Sequence, residues 1–196
     1  MSSAFALATI LEIVQNHLGW PLMWRTRRWA ISHILRGVQL DGDVSVEGPL
    51  YLENHGHIRF GSGVILRSSW HRPIALSVMS SEATLTIGQG AFLNWGVDIG
   101  LACKVVIGAN ALIGDDVVIY DSDWHTIDGT DQDVPKAPTY IGRGVWLGAR
   151  SMVLRGVSIG DNSVIAASSV VTYSLPDHVL AAGAPAKVIR KIQRSR

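Results

Sequence analysis

The chain has 196 residues, of which 47% are hydrophobic and 17% are charged, and its formal net charge is +1. This composition excludes a disordered chain, and the length predicts one domain with room for a sizeable core. Cys103 is the one cysteine, which excludes a disulfide scaffold and a cysteine zinc site and is typical of a reducing compartment. The 20 glycines exceed the usual share of roughly 7% and favour a turn-rich fold.

Residues 1–36 have a helical pattern in two segments. The apolar run over residues 4–14 has no preceding Lys or Arg and contains Glu12, so it does not match a secretory signal. It is also shorter than the about 20 residues that cross a bilayer, and we expect a cytoplasmic protein. We interpret residues 1–36 as a helical cap on the fold that follows. The alternative is a peripheral membrane contact through residues 20–36, which are rich in tryptophan and arginine.

The C-terminal residues 187–196 carry five cations and no acid, while the middle of the chain is acidic. A short basic tail on an acidic body predicts a local site for an anion. A tail that is merely solvated is the open alternative. No nucleic-acid partner is expected, because that would require a broad basic face.

The middle of the chain repeats with a period of six residues. Upstream runs span residues 40–64, 87–99 and 101–119, and the clearest run consists of Ile141, Leu147, Val153, Ile159, Ile165 and Val171. This period matches neither a helix nor a hairpin. It predicts short extended stretches that meet at tight corners, three to a coil, with the aliphatic side chains inside. We therefore predict an all-β fold, a parallel β-helix over residues 37–175, followed by a tail over residues 176–196 with a short C-terminal helix.

The repeat is interrupted over residues 121–138, where the chain is longer than one coil requires. A loop extruded from a regular solenoid is usually functional, because the scaffold fixes its base. This polar loop contains His125 with three aspartates nearby, namely Asp121, Asp123 and Asp128.

Several short elements occur together in the C-terminal half: VWLG, SVI, SVVT and AGAPAKVIR. On these elements the chain resembles the hexapeptide-repeat acetyltransferases, most nearly the galactoside and maltose O-acetyltransferases and the bacterial polysaccharide O-acetyltransferases. The resemblance covers residues 87–192. It implies a left-handed parallel β-helix, a homotrimer with clefts between protomers, and transfer of an acetyl group from acetyl-CoA to a hydroxyl or an amine.

The resemblance assigns catalysis to a histidine on the extruded loop, which here is His125. A neutral imidazole suits the task of taking the acceptor's proton at neutral pH. Asp123 is a candidate for orienting the imidazole ring, although loop solvation explains it equally well. By resemblance, Asn94 stands where the family places an amide near the reacting groups, as a donor to the oxyanion. An asparagine stacked at a β-helix corner is the alternative.

The resemblance also implies a coenzyme A site along the solenoid. The matching residues are Trp146, Gly148, Ala149, Ala167, Thr172, Lys187 and Arg190. Trp146 is expected to contact the pantetheine arm beside His125, and Lys187 and Arg190 to contact phosphate, which would account for the basic tail. The chain departs from the family at Tyr173, where relatives often carry lysine.

The histidines outside the loop raise the question of a metal. His55, His57 and His71 invite comparison with the γ-class carbonic anhydrases, which share the fold and bind zinc through three histidines. In the coil where the carbonic anhydrases have their later zinc ligands, this chain has only His125. No metal is therefore expected. The segment from Trp70 to Arg72 is either a contact for the acceptor or surface packing.

The sequence therefore predicts an acetyl-CoA-dependent acetyltransferase that modifies a hydroxyl of a sugar or glycan precursor. N-acetylation of an amino sugar and acetylation of an antibiotic are alternatives, since acceptor pockets follow no shared motif. The alternative outside enzymes is a non-catalytic β-helix scaffold. The joint presence of His125, Trp146 and the basic end argues against that scaffold.

Overall fold

The computed structural model describes residues 37–130 and 132–192. The strands of this part of the chain are, in order, β1 (Val38–Leu40), β2 (Val44–Glu47), β3 (Leu50–Asn54), β4 (His57–Phe60), β5 (Val64–Arg67), β6 (Ile74–Val78), β7 (Thr84–Ile87), β8 (Phe92–Leu93), β9 (Asp98–Leu101), β10 (Lys104–Ile107), β11 (Leu112–Ile113), β12 (Val118–Tyr120), β13 (Thr139–Ile141), β14 (Trp146–Leu147), β15 (Met152–Val153), β16 (Ser158–Ile159), β17 (Val164–Ile165), β18 (Val170–Val171), β19 (Val179–Gly183) and β20 (Ala186–Lys191). The predicted helical cap and the alternative membrane contact of residues 20–36 lie outside the described residues. None of the described segments is a helix that could cross a membrane.

The strands form three sheets that the chain visits in turn. Sheet A has the order β1-β4-β7-β10-β13-β16, sheet B β2-β5-β8-β11-β14-β17-β19-β20, and sheet C β3-β6-β9-β12-β15-β18. All pairs are parallel except β19 with β20. One strand from each sheet makes a coil, and each coil turns at an A–B, a B–C and a C–A corner. The parallel β-helix predicted from the six-residue repeat is confirmed.

The aliphatic residues of the repeat stack inside the coils and form the core. In sheet A, Ile87, Ile107, Ile141 and Ile159 align in register, and the other two sheets carry equivalent rows. These side chains are buried, and each contributes about 1.5–3 kcal/mol relative to exposure. The corners are tight: a Cβ on Gly108 would lie 2.6 Å from the backbone nitrogen of Arg143. The spacing of the coils therefore requires glycine at that position.

The predicted C-terminal helix is wrong. Residues Ala186–Lys191 form strand β20, which pairs antiparallel with β19 of sheet B. The physical reason is that β19 lies at the end of sheet B. Without β20, one edge of β19 would be a row of unpaired backbone N–H and C=O groups. Because β20 pairs with that edge, the groups are satisfied. Val188 and Ile189 of β20 stay exposed, so apolar periodicity could not reveal this strand.

Candidate active site

Asp121 anchors the base of the loop over residues 121–138, which leaves the solenoid at the C–A corner. Its carboxylate is buried and accepts hydrogen bonds from three successive backbone N–H groups, 2.7 Å from Ala102, 2.8 Å from Cys103 and 2.5 Å from Lys104. Ala102 and Cys103 form the C–A corner of the preceding coil, and Lys104 begins β10. Since a buried carboxylate is tolerated only with such partners, Asp121 fixes the point from which the loop starts.

The two ends of the loop pair with each other. The backbone N–H of Ala137 donates to the carbonyl oxygen of Asp121 at 2.9 Å, and that of Asp123 donates to Pro135 at 3.0 Å. Ser122 and Lys136 form an antiparallel bridge between these two bonds. The loop tip is thus carried on a closed stem rather than on two separate strands.

Trp124 packs the loop against sheet C. Its ring lies over Gly100 of β9, where a Cβ would come within 2.8 Å of Trp124 Cζ2. The backbone of Trp124 has a φ of 64°, a left-handed conformation that is rare for a bulky residue. Such a conformation costs of order 1–3 kcal/mol and persists where the surrounding structure holds it, often at functional sites. The absence of a side chain at Gly100 creates the hollow that Trp124 fills.

Tyr120 supports the ring of Trp124 from the side. The two rings meet edge to face, with centroids 6.0 Å apart. The hydroxyl of Tyr120 donates to Asp98 Oδ2 at 2.7 Å, and burial together with this carboxylate raises the pKa of Tyr120 to about 12. The phenol therefore stays neutral at physiological pH and keeps its hydrogen bond.

His125 follows Trp124 directly and is exposed on the loop. The nearby Asp123 forms an ion pair with Arg155, whose Nε lies 2.7 Å from Asp123 Oδ2. Asp128 accepts hydrogen bonds from the backbone N–H and the hydroxyl of Thr130. A hydrogen bond from the side chain of Thr126, together with these two from Thr130, holds the pKa of Asp128 below its usual value. Asp123 as the orienting group for His125 stays a prediction.

Asn94 lies at the B–C corner, directly after β8. Its side-chain N–H donates to Asp115 Oδ1, and its own Oδ1 is buried with no hydrogen-bond partner in the described part of the chain. Because a carboxylate only accepts, this contact fixes which end of the amide faces Asp115. The amide nitrogen of Asn94 carries a second N–H besides the one that Asp115 accepts.

Arg72 completes the cluster around Asn94. Its Nη1 lies 3.0 Å from Asp115 Oδ2 and 3.5 Å from Asp116 Oδ2. Its guanidinium carbon lies 5.0 Å from the centroid of the Trp95 ring. A cation is thus paired with the carboxylate that holds Asn94. Sequence reasoning missed Asp115, since 21 residues separate it from Asn94 and only the stacking of coils brings them together.

Four of the predicted coenzyme residues lie on sheet B or at the B–C corner. Trp146 is 50% exposed and lies on the outer face of sheet B. Gly148, Ala149 and Ala167 lie at the B–C corner, where a Cβ on Gly148 would come within 2.6 Å of the backbone nitrogen of Ala167. This corner therefore offers a narrow track of small residues in line with Asn94.

The remaining predicted coenzyme residues lie farther along the solenoid. Thr172 follows β18 at the C–A corner, and its Oγ1 is buried without a partner in the part of the chain that the structure describes. Lys187 and Arg190 are exposed on β20, opposite Ala182 and Leu180 of β19. The basic tail is thus in part a strand, which presents its cations from a fixed backbone.

One chain does not bring His125 and Trp146 together. The loop with His125 projects from the C–A corner and packs on sheet C, whereas Trp146 lies on the outer face of sheet B. The buried core separates sheet B from the C–A corner. Within one chain, His125 and Trp146 therefore belong to different sides of the solenoid.

The arrangement can supply a base, an oriented N–H donor and cations for phosphate. Within residues 37–130 and 132–192, no three histidine, cysteine or acidic side chains are grouped so that they could hold a metal ion. An exposed imidazole on a rigid stem can take a proton from a bound hydroxyl. The site therefore suits acyl transfer between two bound substrates.

Comparison with known proteins agrees with this chemistry. Residues 138–173 match the family model of the bacterial transferase hexapeptide, which comprises six repeats. The galactoside O-acetyltransferase of Escherichia coli K12 is 32% identical over 155 residues, which cover 73% of this chain and 75% of that protein. The galactoside O-acetyltransferase of Lactococcus lactis is 38% identical over 114 residues, which cover 55% of this chain and 53% of that enzyme.

A solved structure extends the comparison to nearly the whole chain. A galactoside acetyltransferase in complex with coenzyme A superposes with a TM-score of 0.59 and 27% identity, covering 97% of this chain and 81% of that one. The fold and the similarity to these acetyltransferases define an acyltransferase built on a β-helix. The chain belongs to the hexapeptide-repeat acetyltransferase family.

Proposed function

We propose that this protein transfers an acetyl group from acetyl-CoA to a hydroxyl of a sugar, with His125 as the general base. The observation that carries the proposal is the exposed imidazole on a loop that Asp121 and Trp124 hold in place. The similarity to galactoside O-acetyltransferases supports the sugar hydroxyl as acceptor. The chain has one cysteine, the half-buried Cys103, and so few cysteines are typical of a reducing compartment. This supports a cytoplasmic enzyme.

His125 and Asn94 are proposed to have different roles in the acetyl transfer. His125 takes the proton of the acceptor hydroxyl while that oxygen bonds to the thioester carbon. The second N–H of Asn94 donates to the carbonyl oxygen as it gains negative charge. When the carbon–sulfur bond breaks, the imidazolium of His125 returns the proton to the departing thiolate. The products are an acetyl ester and the coenzyme thiol, and no covalent enzyme intermediate is needed.

Coenzyme A is proposed to lie along the B–C corner and the outer face of sheet B. Trp146 offers an exposed apolar surface for the pantetheine arm, and Gly148, Ala149 and Ala167 leave room for it. The unpartnered Oγ1 of Thr172 is available for a polar group of the coenzyme. Lys187 and Arg190 provide the charge for its phosphates.

We further propose that the active enzyme is a homotrimer with each site formed by two protomers. The separation of His125 from Trp146 within one chain supports this arrangement. The outer face of sheet B supports it as well, since Leu112 next to Trp146 in register is 44% exposed, and Ile65 is 37% exposed. Such a row of exposed apolar side chains is typical of a surface that a partner covers.

The direct test is release of coenzyme thiol from acetyl-CoA with a panel of sugars and amino sugars. We expect turnover with a sugar, and mass spectrometry should identify an ester on a hydroxyl. A product acetylated on nitrogen would redirect the proposal to amino sugars. If no acceptor in the panel supported turnover and coenzyme A did not bind, a non-catalytic scaffold would be favoured instead.

A mixing experiment tests the shared site. His125→Ala and Trp146→Ala protomers are each expected to have low activity, because each lacks one half of every site. Refolded together, they should form some sites with both residues intact, and activity should rise above that of either parent. Mixed oligomers without any such rise would contradict a site formed between protomers.

A further inference from the structure

Residues 69–72 form a tight hairpin at the B–C corner, in the coil next to Asn94. The backbone N–H of Ser69 donates to the carbonyl of Arg72 at 3.3 Å, and that of Arg72 donates to the carbonyl of Ser69 at 3.2 Å. The hydroxyl of Ser69 accepts a further bond from the Arg72 N–H at 3.1 Å. Two residues, Trp70 and His71, are left at the tip, and both are exposed.

The base of this hairpin is anchored on both sides. The buried hydroxyl of Ser68 accepts a hydrogen bond from the Ile74 N–H at 2.9 Å and donates to the carbonyl of Pro49. The carbonyl of Arg72 accepts from the Gly96 N–H at 3.0 Å, which ties the hairpin to the next coil. The tip is therefore held by hydrogen bonds at its root, unlike an ordinary surface loop.

The hairpin is also fixed relative to Asn94. Arg72, which closes the hairpin, bonds Asp115 at 3.0 Å, and Asp115 in turn accepts from the amide of Asn94. The guanidinium lies over Trp95, the residue after Asn94. Trp70 is two residues from Arg72, so its backbone is connected to Asn94 through the contacts of Arg72 and Asp115.

Trp70 is 63% exposed, although exposing an indole ring to water is unfavourable. An aromatic ring on a rigid support loses little conformational entropy when a ligand stacks on it. The apolar C–H face of a sugar ring suits such a platform, and the indole N–H can bond a hydroxyl at the edge.

We propose that the 69–72 hairpin is the element that recognises the acceptor, with Trp70 stacking on its sugar ring. This inference rests on the proposed function, because it names a substrate contact of the same site. Trp70 binds the acceptor and takes no part in proton transfer. It is therefore a residue of specificity and not of chemistry.

The test compares steady-state kinetics of wild type, Trp70→Ala and Trp70→Phe with the best sugar acceptor. Trp70→Ala should raise KM for the sugar by about tenfold, equivalent to the loss of one stacking contact, and leave kcat and the KM for acetyl-CoA unchanged. Trp70→Phe keeps an aromatic face and should recover most of the affinity. Tyr51→Ala is the matched control, since Tyr51 is 60% exposed and lies on sheet C in the first coil.

Two outcomes separate this inference from the function it rests on. If wild type acetylates a sugar and Trp70→Ala binds it equally well, the role of the hairpin is overturned and the proposed function stands. If wild type acetylates no sugar, the role of the hairpin and the proposed function are both overturned. A changed oligomeric state in Trp70→Ala, measured by light scattering, would instead assign Trp70 to a contact between copies and would overturn the inference.

Discussion

The side-chain amide of Asn94 donates a hydrogen bond to the carboxylate of Asp115, which is itself paired with Arg72. This relationship sets the direction of the amide, because the carboxylate can only accept. The charge of Asp115 is balanced by the guanidinium of Arg72. If Asn94 acts on the oxyanion as proposed, Asp115 is a positioning residue that acts through Asn94.

We expect Asp115→Leu to lower kcat by about tenfold to a hundredfold, approaching the loss of one oxyanion donor. The dissociation constant for acetyl-CoA should not change. Asp115→Asn keeps an oxygen that can accept from Asn94, so its loss should be much smaller. Equal kcat values for Asp115→Leu and wild type would show that Asn94 needs no such support.

Gly100 is predicted to control the position of the catalytic loop. In Gly100→Ala the new methyl group would lie 2.8 Å from Trp124 Cζ2 and 3.0 Å from Tyr120 Cε1, so the ring of Trp124 must move, and His125 with it. Because small displacements of reacting groups slow catalysis strongly, we expect kcat to fall by about tenfold or more.

The control for this change is Ile127→Ala in the same loop, since Ile127 is fully exposed. Its kcat should match that of wild type. If Gly100→Ala were as active as the control, the packing of Trp124 on sheet C would not determine the position of His125.

Tyr120 should make stability depend on pH in the alkaline range. Its pKa is raised from 10.0 to about 12 in the folded protein, so between these values the unfolded chain loses the proton while the folded chain keeps it. The contribution is present below pH 10 and is lost as the pH rises toward 12. As the pH rises from 10 to about 12, we therefore expect the free energy of unfolding to fall less for Tyr120→Phe than for wild type.

Urea unfolding at about pH 9 and about pH 11 measures this difference. Tyr173→Phe is the control for the substitution itself, since it removes a hydroxyl from a ring that is 74% exposed. If wild type and Tyr120→Phe lost the same free energy of unfolding, the bond between Tyr120 and Asp98 would not govern this range.

The basic strand should bind the phosphates of the coenzyme. In the double variant Lys187→Ala with Arg190→Ala, we expect the dissociation constant of acetyl-CoA to rise by about tenfold at low salt and by less at high salt, as screening weakens the contact in wild type. Arg59→Ala removes an exposed cation of β4, in an early coil, and should have no effect. A double variant that binds as tightly as wild type would mean that the tail is only solvated.

Features that depend on local periodicity could be predicted from the sequence. The aliphatic row that contains Ile141 and Leu147 marks both the coils and their buried face, because each unit repeats the same short stretch and corner. The loop with His125 stands out as a break in that row. The strand β20 could not be predicted, since its pairing depends on the free edge of β19 and not on its own pattern.

Contacts between side chains of different coils could not be predicted from the sequence either. Arg72 and Asp115 are 43 residues apart, and the lengths of the intervening corners decide whether they align. The separation of His125 from Trp146 around the coil could have been inferred from the sequence, because their phases within the repeat assign one to the C–A corner and the other to sheet B. Only the packing of Trp124 on Gly100 shows on which face the loop lies.

His125 is proposed to remove the proton of the acceptor hydroxyl. The most direct measurement compares single-turnover acetyl transfer by wild type and His125→Ala, with coenzyme binding followed separately. We predict a rate lower by about a hundredfold or more, with the dissociation constant of acetyl-CoA unchanged. A variant that transfers acetyl at the wild-type rate, or that loses rate only because it no longer binds acetyl-CoA, would contradict the assignment.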